Sequence, residues 1–369
     1  MSNGSTDVVN RKARRRGATR ATQPAKREKR DEAAGEMTEE EALATTCGYI
    51  CGEGLNATEV KDRLEEEHGV LVSREKPYEY FQKAATRGWI RFAPPQENAI
   101  QGHFKAAYPW LQDAAVVKTF RTEDVAYRGA EMLLKLLQQH YAGKTVHIGF
   151  SGGVALRTLA RRFAELLREP GPHLPSKIVF HALVAGFDVS DPATDPNAFF
   201  TYFVGDPIIP FETSFVALHA PAMIPARLEK ELQGLPVIEE AYERASEIDI
   251  IVTSTSDWTD EHSMLRHYMA VAGESVDELE RAGCIGDILW QPIKADGPFE
   301  LNSKIRAMTI MRLAQVSELV AQDRQVLLVA GPCHRCHAPK TNVVKAILHQ
   351  RDRLITHLVT DSRCARAML

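Results

Sequence analysis

The hydrophobic positions between residues 38 and 92 recur at helical spacing in three short segments, which are followed by a strand-like run. Two of these segments open with capping boxes, Thr38 to Glu41 and Asn56 to Glu59. The predicted elements are helices over 38–51, 56–69 and 73–88, the third capped by Ser73, and a strand over 89–92. This order is typical of a winged helix-turn-helix, whose third helix enters the major groove of DNA.

From Asp124 onward the pattern changes to an alternation of helices and strands. A long amphipathic helix over 125–137 comes first, and five short runs rich in β-branched residues follow at 146–150, 178–184, 248–252, 326–329 and 355–359. Most of these runs lead through Gly, Ser, Thr or Asp into a helical segment, which is the pattern of a parallel sheet covered on both faces. We therefore predict a mostly parallel α/β domain that binds its ligand at the carboxyl ends of the strands.

Composition narrows the class of protein. Hydrophobic residues make up 44% and charged residues 25% of the 369 positions, which are ordinary globular values. The chain lacks the run of roughly 18 to 20 apolar residues that a membrane span needs and the apolar core of a signal peptide. The six cysteines are scattered and form no dense disulfide framework. These features predict a soluble, cytoplasmic protein without a membrane partner.

The net charge of -4 conceals a strong asymmetry. The first 31 residues carry ten Lys and Arg against three acids, which leaves 35 basic and 46 acidic residues in the rest. A basic arm that is poor in apolar residues is typical of a disordered tail that contacts a polyanion, although a solubilising leader is the alternative. The predicted DNA-binding residues lie on or beside the third helix: Ser73, Arg74, Lys76, Tyr80, Lys83 and Arg87.

Candidate ligand-binding residues follow the predicted strands. The loop Ser151, Gly152 and Gly153 leads into a helix, and glycines there let backbone N–H groups approach an anion. Polar and charged side chains at later strand ends complete the candidate set: Asp257, Asp287, Asp296, Arg306 and Lys340. The aspartates also suit acid–base work in an isomerase, but a DNA-reading segment on the same chain favours regulation over turnover.

The loop from Cys333 to His337 has the C-x-x-C-H spacing of a covalent haem site. A chain without an export signal would not meet the haem-attachment machinery. Zinc needs four ligands, and Cys333, Cys336 and His337 supply three. A zinc site, a thiol switch and an effector loop with incidental thiols all remain open, and we predict neither a cofactor nor a metal.

From about Asp124 to Leu369 the chain resembles the effector-binding domain of SorC-type sugar-binding transcriptional regulators. Residues 282–289 read A-G-C-I-G-D-I-L and precede Asp296-Gly297, similar to the family's A-G-A-V-G-D-I-L and D-x-G. Residues 354–365 read L-I-T-H-L-V-T-D-S-R-C-A, similar to L-I-x-x-L-V-T-D-E-x-T-A. The segments 71–78 and 84–90 likewise resemble the family's DNA-reading helix and its exit.

The resemblance implies a repressor or activator, often tetrameric, that changes its grip on operator DNA when a phosphorylated sugar occupies a domain similar in fold to sugar-phosphate isomerases and deaminases. The chain departs from the family at two places. Ala155 stands where the family's first loop carries a threonine hydroxyl, and residues 332–337 are inserted before Lys340.

The sequence thus predicts four segments: a disordered basic arm (1–37), a winged helix-turn-helix (38–95), a connector (96–122) and a sugar-binding α/β effector domain (123–369). The expected function is that of a ligand-responsive transcriptional regulator, not an enzyme. Its expected partners are double-stranded operator DNA, a sugar phosphate or related effector, and copies of itself in a homodimer or homotetramer. An isomerase-like enzyme and an effector-blind DNA-binding protein are the alternatives.

Overall fold

The computed structural model describes residues 37–90, 94–169, 173–186, 191–273, 275–298 and 305–369. The described residues form two compact units, which are divided between residues 92 and 93. The predicted basic arm lies, apart from Met37, outside the described residues, so its expected disorder stays a prediction.

The N-terminal unit is helical. It contains α1 Glu39–Cys47, a π-helical turn Gly48–Gly52, α2 Ala57–His68 and α3 Lys76–Thr86. Both predicted capping boxes are confirmed, at Thr38 and at Asn56. A small core of Tyr49, Val60 and Leu64 holds the π-helical turn to α2.

Two predicted details of this unit are wrong. The third helix begins at Lys76, not at Ser73, because Pro77 has the fixed φ and the missing N–H that suit a first helical turn. The carbonyl of Ser73 instead accepts from the N–H of Lys76 in the preceding turn, at 3.1 Å. Trp89 and Ile90, the first half of the predicted strand, form a bend, and residues 91–93 lie outside the described part of the chain.

A seven-stranded sheet forms the centre of the second unit. In chain order its strands are β1 Asp113–Val117, β2 Thr145–Phe150, β3 Lys177–Ala182, β4 Glu212–Val216, β6 Ile250–Thr253, β12 Gln325–Ala330 and β13 His357–Asp361. They run parallel in the order β1-β13-β12-β6-β2-β3-β4. All five strands predicted from the sequence are present. Every residue of β6, β12 and β13 is buried, which confirms a parallel sheet covered on both faces.

Shorter strands form two accessory sheets. These strands are β5 Met223–Pro225, β7 Thr255–Asp257, β8 Gly286–Ile288, β9 Gln291–Lys294, β10 Gly297–Pro298 and β11 Ile305–Ala307. One accessory sheet is antiparallel with the order β10-β9-β8-β7, and in the other β11 pairs with β5. Strand β7 follows β6 after a single residue, so the accessory sheet starts at the carboxyl end of the central one.

Helices connect the strands and complete the core. They are α4 Asn98–Ala107, α5 Thr122–His140, α6 Val154–Leu167, α7 Pro196–Phe199, α8 Glu229–Gln233, α9 Pro236–Glu243, α10 Met264–Val271, α11 Val276–Arg281, α12 Leu313–Ala321, α13 Thr341–Leu348 and α14 Ser362–Met368. Helices α5 and α6 pack against each other. Among the described residues, no helix combines the length and apolar character needed to span a membrane.

Residues 96–122, predicted as a connector, contribute helix α4 and edge strand β1 to this unit. Strand β1 pairs in parallel with β13, from Asp113 opposite His357 to Val117 opposite Asp361. The run Asp113-Ala-Ala-Val-Val117 is short and contains two alanines, a residue with low strand propensity, which explains why the sequence pattern did not reveal a strand.

The strand order fixes the place for a ligand. From β2 the chain continues outward through β3 to β4, and it then returns to the other side of β2 as β6 before continuing to β12 and β13. The strand order therefore reverses between β2 and β6. Ligands of open α/β sheets bind at the carboxyl ends of the strands beside such a reversal.

Candidate functional site

A cavity opens where β2 and β6 end. The hydroxyls of Ser151 and Thr253, which follow and end these two strands, lie 3.1 Å apart. Loops from five places in the chain line the cavity: Thr122, Ser151, Gly152, Gly153, Val154, Ala155, Ser254, Thr255, Ser256, Asp260, His262, Met264, Asp287, Leu289, Trp290, Pro332, Cys333, His334 and Lys340. The predicted residues Ser151, Gly152, Gly153, Asp287 and Lys340 are thus brought together.

The glycines of this loop are required by its geometry. Gly153 has a φ of 114°, which residues with side chains rarely adopt, and it is the N-cap of α6. A Cβ on Gly152 would lie 3.0 Å from both the indole of Trp290 and the carbonyl oxygen of Thr194. The loop therefore brings the backbone against the cavity wall.

The backbone N–H groups that this loop leaves available for a ligand differ from those expected. The N–H of Ser151 donates to the carbonyl of Val252 at 3.0 Å, and the N–H of Gly153 donates to the carbonyl of Thr194 at 2.9 Å. These two groups are already used within the protein, so the expectation that both face an anion is wrong. The first N–H groups of α6 have no partner within the helix, and its first two residues, Val154 and Ala155, line the cavity.

Lys340, the N-cap residue of α13, brings a positive charge into the cavity wall. Its ammonium group donates to the carbonyl of Thr255 at 2.5 Å. Burial lowers the pKa of Lys340, and the nearby Cys333, Asp260 and Asp287 side chains oppose this shift. An ammonium and a helix N-terminus on one cavity are both favourable to an anionic group.

Asp287 on β8 supplies a buried carboxyl. Burial raises its pKa to about 6, although a hydrogen bond from the Ser256 hydroxyl and the charge of Lys340 act in the opposite direction. The carboxylate is a strong acceptor for hydroxyl groups when it is ionised. Its pKa lies close to neutrality, so its charge responds to modest changes in pH.

Three predicted site residues lie elsewhere. The carboxylate of Asp257 accepts from the N–H and hydroxyl of Thr259, at 3.1 and 2.7 Å, and so stabilises a turn. Asp296 is exposed at the tip of the β9–β10 hairpin. Arg306 on β11 lies 3.9 Å from the carboxylate of Glu229 and lines a different cavity.

Several cavity residues were not predicted from the sequence, above all Trp290. Leu289 and Trp290 form the two-residue turn between β8 and β9, with φ angles of 53° and 55°. Such turns favour Asn and Gly, so neither side chain signals the turn in the sequence. Strained backbone of this kind clusters at ligand sites. The turn holds the Trp290 indole in the cavity wall, where it packs edge-on against Tyr268 at 5.0 Å.

In the N-terminal unit, the predicted DNA-binding side chains fall into two groups. Ser73 and Arg74 are exposed in the turn before α3, and the ammonium of Lys76 lies 5.4 Å from the ring of Tyr80. Lys76 also pairs with Glu79 on the same helix, at 2.7 Å. Two cations at the end of α3 are paired with acids at the start of α1. The ammonium of Lys83 is bonded to the carboxylate of Glu39, and the guanidinium of Arg87 lies 3.7 Å from Glu39 and 4.0 Å from Glu40.

The exposed face of α3 is opposite its buried residues Pro77 and Ala84. Tyr78, 64% exposed, and Gln82 lie on it. Neither was among the residues predicted to contact DNA, because the prediction selected mainly for charge. Tyrosine and glutamine side chains are common DNA contacts.

Comparisons with known proteins show which family and which solved structures this chain resembles. Residues 209–369 match the family described as "Putative sugar-binding domain". No curated protein sequence matches the chain. The full-length sorbitol operon regulator SorC from Klebsiella pneumoniae superposes with a TM-score of 0.59 at 16% identity, covering 88% of this chain and 97% of that protein.

Two further solved structures cover the α/β part. A DeoR family transcriptional regulator from Listeria monocytogenes has a TM-score of 0.55 at 20% identity, covering 73% of this chain and 98% of its own. A transcriptional regulator from Streptococcus pneumoniae has a TM-score of 0.54 at 17% identity, with 73% and 95% covered. These similar structures are regulators of transcription, not enzymes. The predicted resemblance is confirmed: residues 209–369 match the sugar-binding-domain family, and the fold is similar to that of the SorC regulator.

Proposed function

We propose that this chain is a transcriptional regulator that binds double-stranded operator DNA through its helical unit and a phosphorylated sugar through its α/β unit. The observation that carries the proposal is the cavity between β2 and β6, where the Lys340 ammonium and the first turn of α6 face one space. Its location in a sugar-binding-domain fold supports a sugar as the effector.

The two sides of the cavity wall suit different chemical groups of a ligand. The ammonium of Lys340 and the N–H groups of Val154 and Ala155 suit a phosphate. On the accessory-sheet side, the carboxylate of Asp287 accepts from sugar hydroxyls and the Trp290 ring offers an apolar face to the carbon skeleton. This division accounts for the missing hydroxyl at Ala155, because Lys340 supplies the phosphate with a charged donor.

On the DNA side, the exposed face of α3 and the turn at Ser73 and Arg74 read the groove, while the basic arm contacts phosphates. One helix-turn-helix reads few base pairs, and two-fold operators are read by two-fold proteins. The working form is therefore a homodimer or homotetramer that acts in the cytoplasm, where the DNA is.

A thermal-shift screen of phosphorylated sugars and their unphosphorylated forms tests the effector half. A ligand that binds only the folded state raises the melting temperature. We expect stabilisation by at least one phosphorylated sugar and a much smaller effect of its unphosphorylated form, with the difference lost in Lys340→Met. If neither class stabilises the protein while operator binding persists, the chain is an effector-blind DNA-binding protein.

A further inference from the structure

Four metal-ligating side chains meet at the rim of the cavity. Asp260 and His262 come from the loop between β7 and α10, and Cys333 and Cys336 from the loop between β12 and α13. One ligand atom of each lies within 4.8 Å of the other three. Asp260 and Cys333 are buried, His262 is half-buried and Cys336 is exposed, so solvent reaches the cluster from one side.

The distances between the ligand atoms fit a small tetrahedral ion. The sulfur of Cys333 lies 3.6 Å from Nδ1 of His262, and the sulfur of Cys336 lies 3.8 Å from Oδ1 of Asp260. The same Oδ1 lies 3.1 Å from Nδ1 of His262. Tetrahedral zinc with ordinary bond lengths places a sulfur and a nitrogen or oxygen ligand about 3.6 Å apart, and a nitrogen and an oxygen ligand about 3.4 Å apart.

The surrounding backbone orients these ligands. The backbone N–H groups of Arg335 and Cys336 lie beside the sulfur of Cys333, as donors do around a metal-bound thiolate. The N–H of His262 donates to Oδ1 of Asp260 at 3.0 Å. The loop is closed by hydrogen bonds from Cys333 N–H to the carbonyl of Ala338, and from His337 N–H to the carbonyl of Cys333, at 2.9 and 3.0 Å.

His337, the third ligand suggested by the C-x-x-C-H spacing, is directed elsewhere. Its ring packs edge-on against Phe120 at 6.2 Å, and its carbonyl accepts from Arg363 at 2.8 Å. The ligand set is therefore completed from a distant part of the sequence, by Asp260 and His262.

We propose that Asp260, His262, Cys333 and Cys336 bind one Zn²⁺ ion. Two sulfur, one nitrogen and one oxygen ligand suit zinc, and four protein ligands close the coordination sphere as in structural sites. Binding replaces the two thiol protons, which are released to solvent, with bonds from the thiolates to the metal. The loaded site then carries a net charge of −1, which the Lys340 ammonium faces across the cavity wall.

The ion ties two cavity-lining loops together, one from the accessory sheet and one leading to Lys340. This inference goes beyond the proposed function, because zinc binding requires neither DNA nor a sugar. Removing the ion with a chelator is expected to increase amide hydrogen exchange in both loops at once. Hydrogen bonds within each loop would not link the exchange of one loop to that of the other.

Metal analysis of the full-length protein tests the proposal. The chain is purified under reducing conditions without chelator, and we expect about one zinc per chain. Replacing zinc with Co²⁺ should produce the near-ultraviolet sulfur-to-cobalt charge-transfer bands of thiolate ligation. Cys336→Ser and His262→Asn should lose the metal and these bands. His337→Ala and Cys51→Ser are matched controls, a histidine of the same loop and an exposed cysteine of the other unit, and both should keep them.

Three results would overturn the proposal. The first is reduced wild-type protein that holds no zinc and gives no sulfur-to-cobalt bands. The second is an unchanged metal content in Cys336→Ser, a substitution at an exposed position that keeps the fold. The third is a disulfide between Cys333 and Cys336 in freshly isolated, metal-free protein, which would make the loop a redox element.

Discussion

The hydroxyl of Ser256 donates a hydrogen bond to Oδ2 of Asp287, a carboxyl that is buried in the wall of the effector cavity. Burial raises the pKa of this carboxyl to about 6 despite the bond. Strand β7 thereby holds the group in one orientation, while burial in the cavity wall favours its neutral form.

This pKa predicts a pH-dependent stability. Folded protein holds a proton on Asp287 up to pH of about 6, whereas the unfolded chain releases it near 3.8. The stability that Asp287 contributes is therefore complete below the lower value and is lost as the pH rises through the higher one, by up to about 3 kcal/mol. Urea unfolding at pH 4.5 and 7 should show Asp287→Asn gaining stability relative to wild type at the higher pH. Asp296→Asn, at an exposed hairpin tip, is the control. An equal change in the free energy of unfolding between the two pH values in both variants would contradict the assignment to Asp287.

Lys340 should determine the preference for a phosphorylated effector. Lys340→Met keeps the apolar stem and removes the charge, which we expect to weaken sugar-phosphate binding by about ten- to a hundredfold, since a charged hydrogen bond is worth roughly 1.5 to 3 kcal/mol. Arg306→Met, a cation of another cavity, is the control and should change the affinity little. Calorimetry decides, and equal losses in the two variants would remove Lys340 from the site.

Restoring the hydroxyl at position 155 should strengthen the same contact. Ala155 is the second residue of α6 and lines the cavity. In Ala155→Thr the new hydroxyl lies at the helix N-terminus, where anions are favoured, and we expect affinity for the sugar phosphate to rise by about tenfold. Ala155→Val, which has the same shape without the hydroxyl, is the control in the same titration. Equal affinities in the two variants would show that no phosphate contacts this position.

The ion pairs between α1 and α3 should restrain DNA binding. The carboxylate of Glu39 forms ion pairs with the side chains of Lys83 and Arg87, which occupies these charges within the protein. Glu39→Gln releases them, so we expect tighter binding to DNA at low salt and a steeper dependence on salt concentration. Glu66→Gln removes a comparable exposed charge from α2 and should change DNA affinity and its salt dependence less. Fluorescence anisotropy at several salt concentrations measures both, and indistinguishable variants would show that these pairs stay outside the interface.

The basic arm should add affinity without sequence preference. Deleting residues 1 to 30 removes ten Lys and Arg, and we expect weaker binding to all duplexes and a smaller salt slope. Changing Arg74 or Gln82 should instead alter the ranking of sequences. A selection of preferred sites with each variant separates the effects, and an unchanged salt slope after the deletion would exclude the arm.

Local signals explain what the sequence could predict. Capping boxes at Thr38 and Asn56 and the β-branched runs of the central strands are encoded by neighbouring residues, and they appear as expected. Gly153 and Lys340 were found because strand ends meet at one edge of a parallel sheet.

Contacts between distant residues could not be predicted in this way. Asp260 and His262 reach Cys333 only because β7 and the β12–α13 loop meet in three dimensions. Charge alone suggested Lys83 as a DNA contact, whereas the fold turns it toward Glu39. The alanines of β1 carry little strand signal, and that strand forms because β13 offers it a partner.

Binding of the effector should change the affinity of the protein for DNA. The most direct measurement is the affinity of the full-length chain for a selected operator duplex, with and without a saturating sugar phosphate identified by thermal shift. The account predicts a change of about five- to 150-fold, the ordinary range of allosteric coupling, and its loss in Lys340→Met. Identical affinities with and without a ligand that demonstrably binds the protein would contradict it.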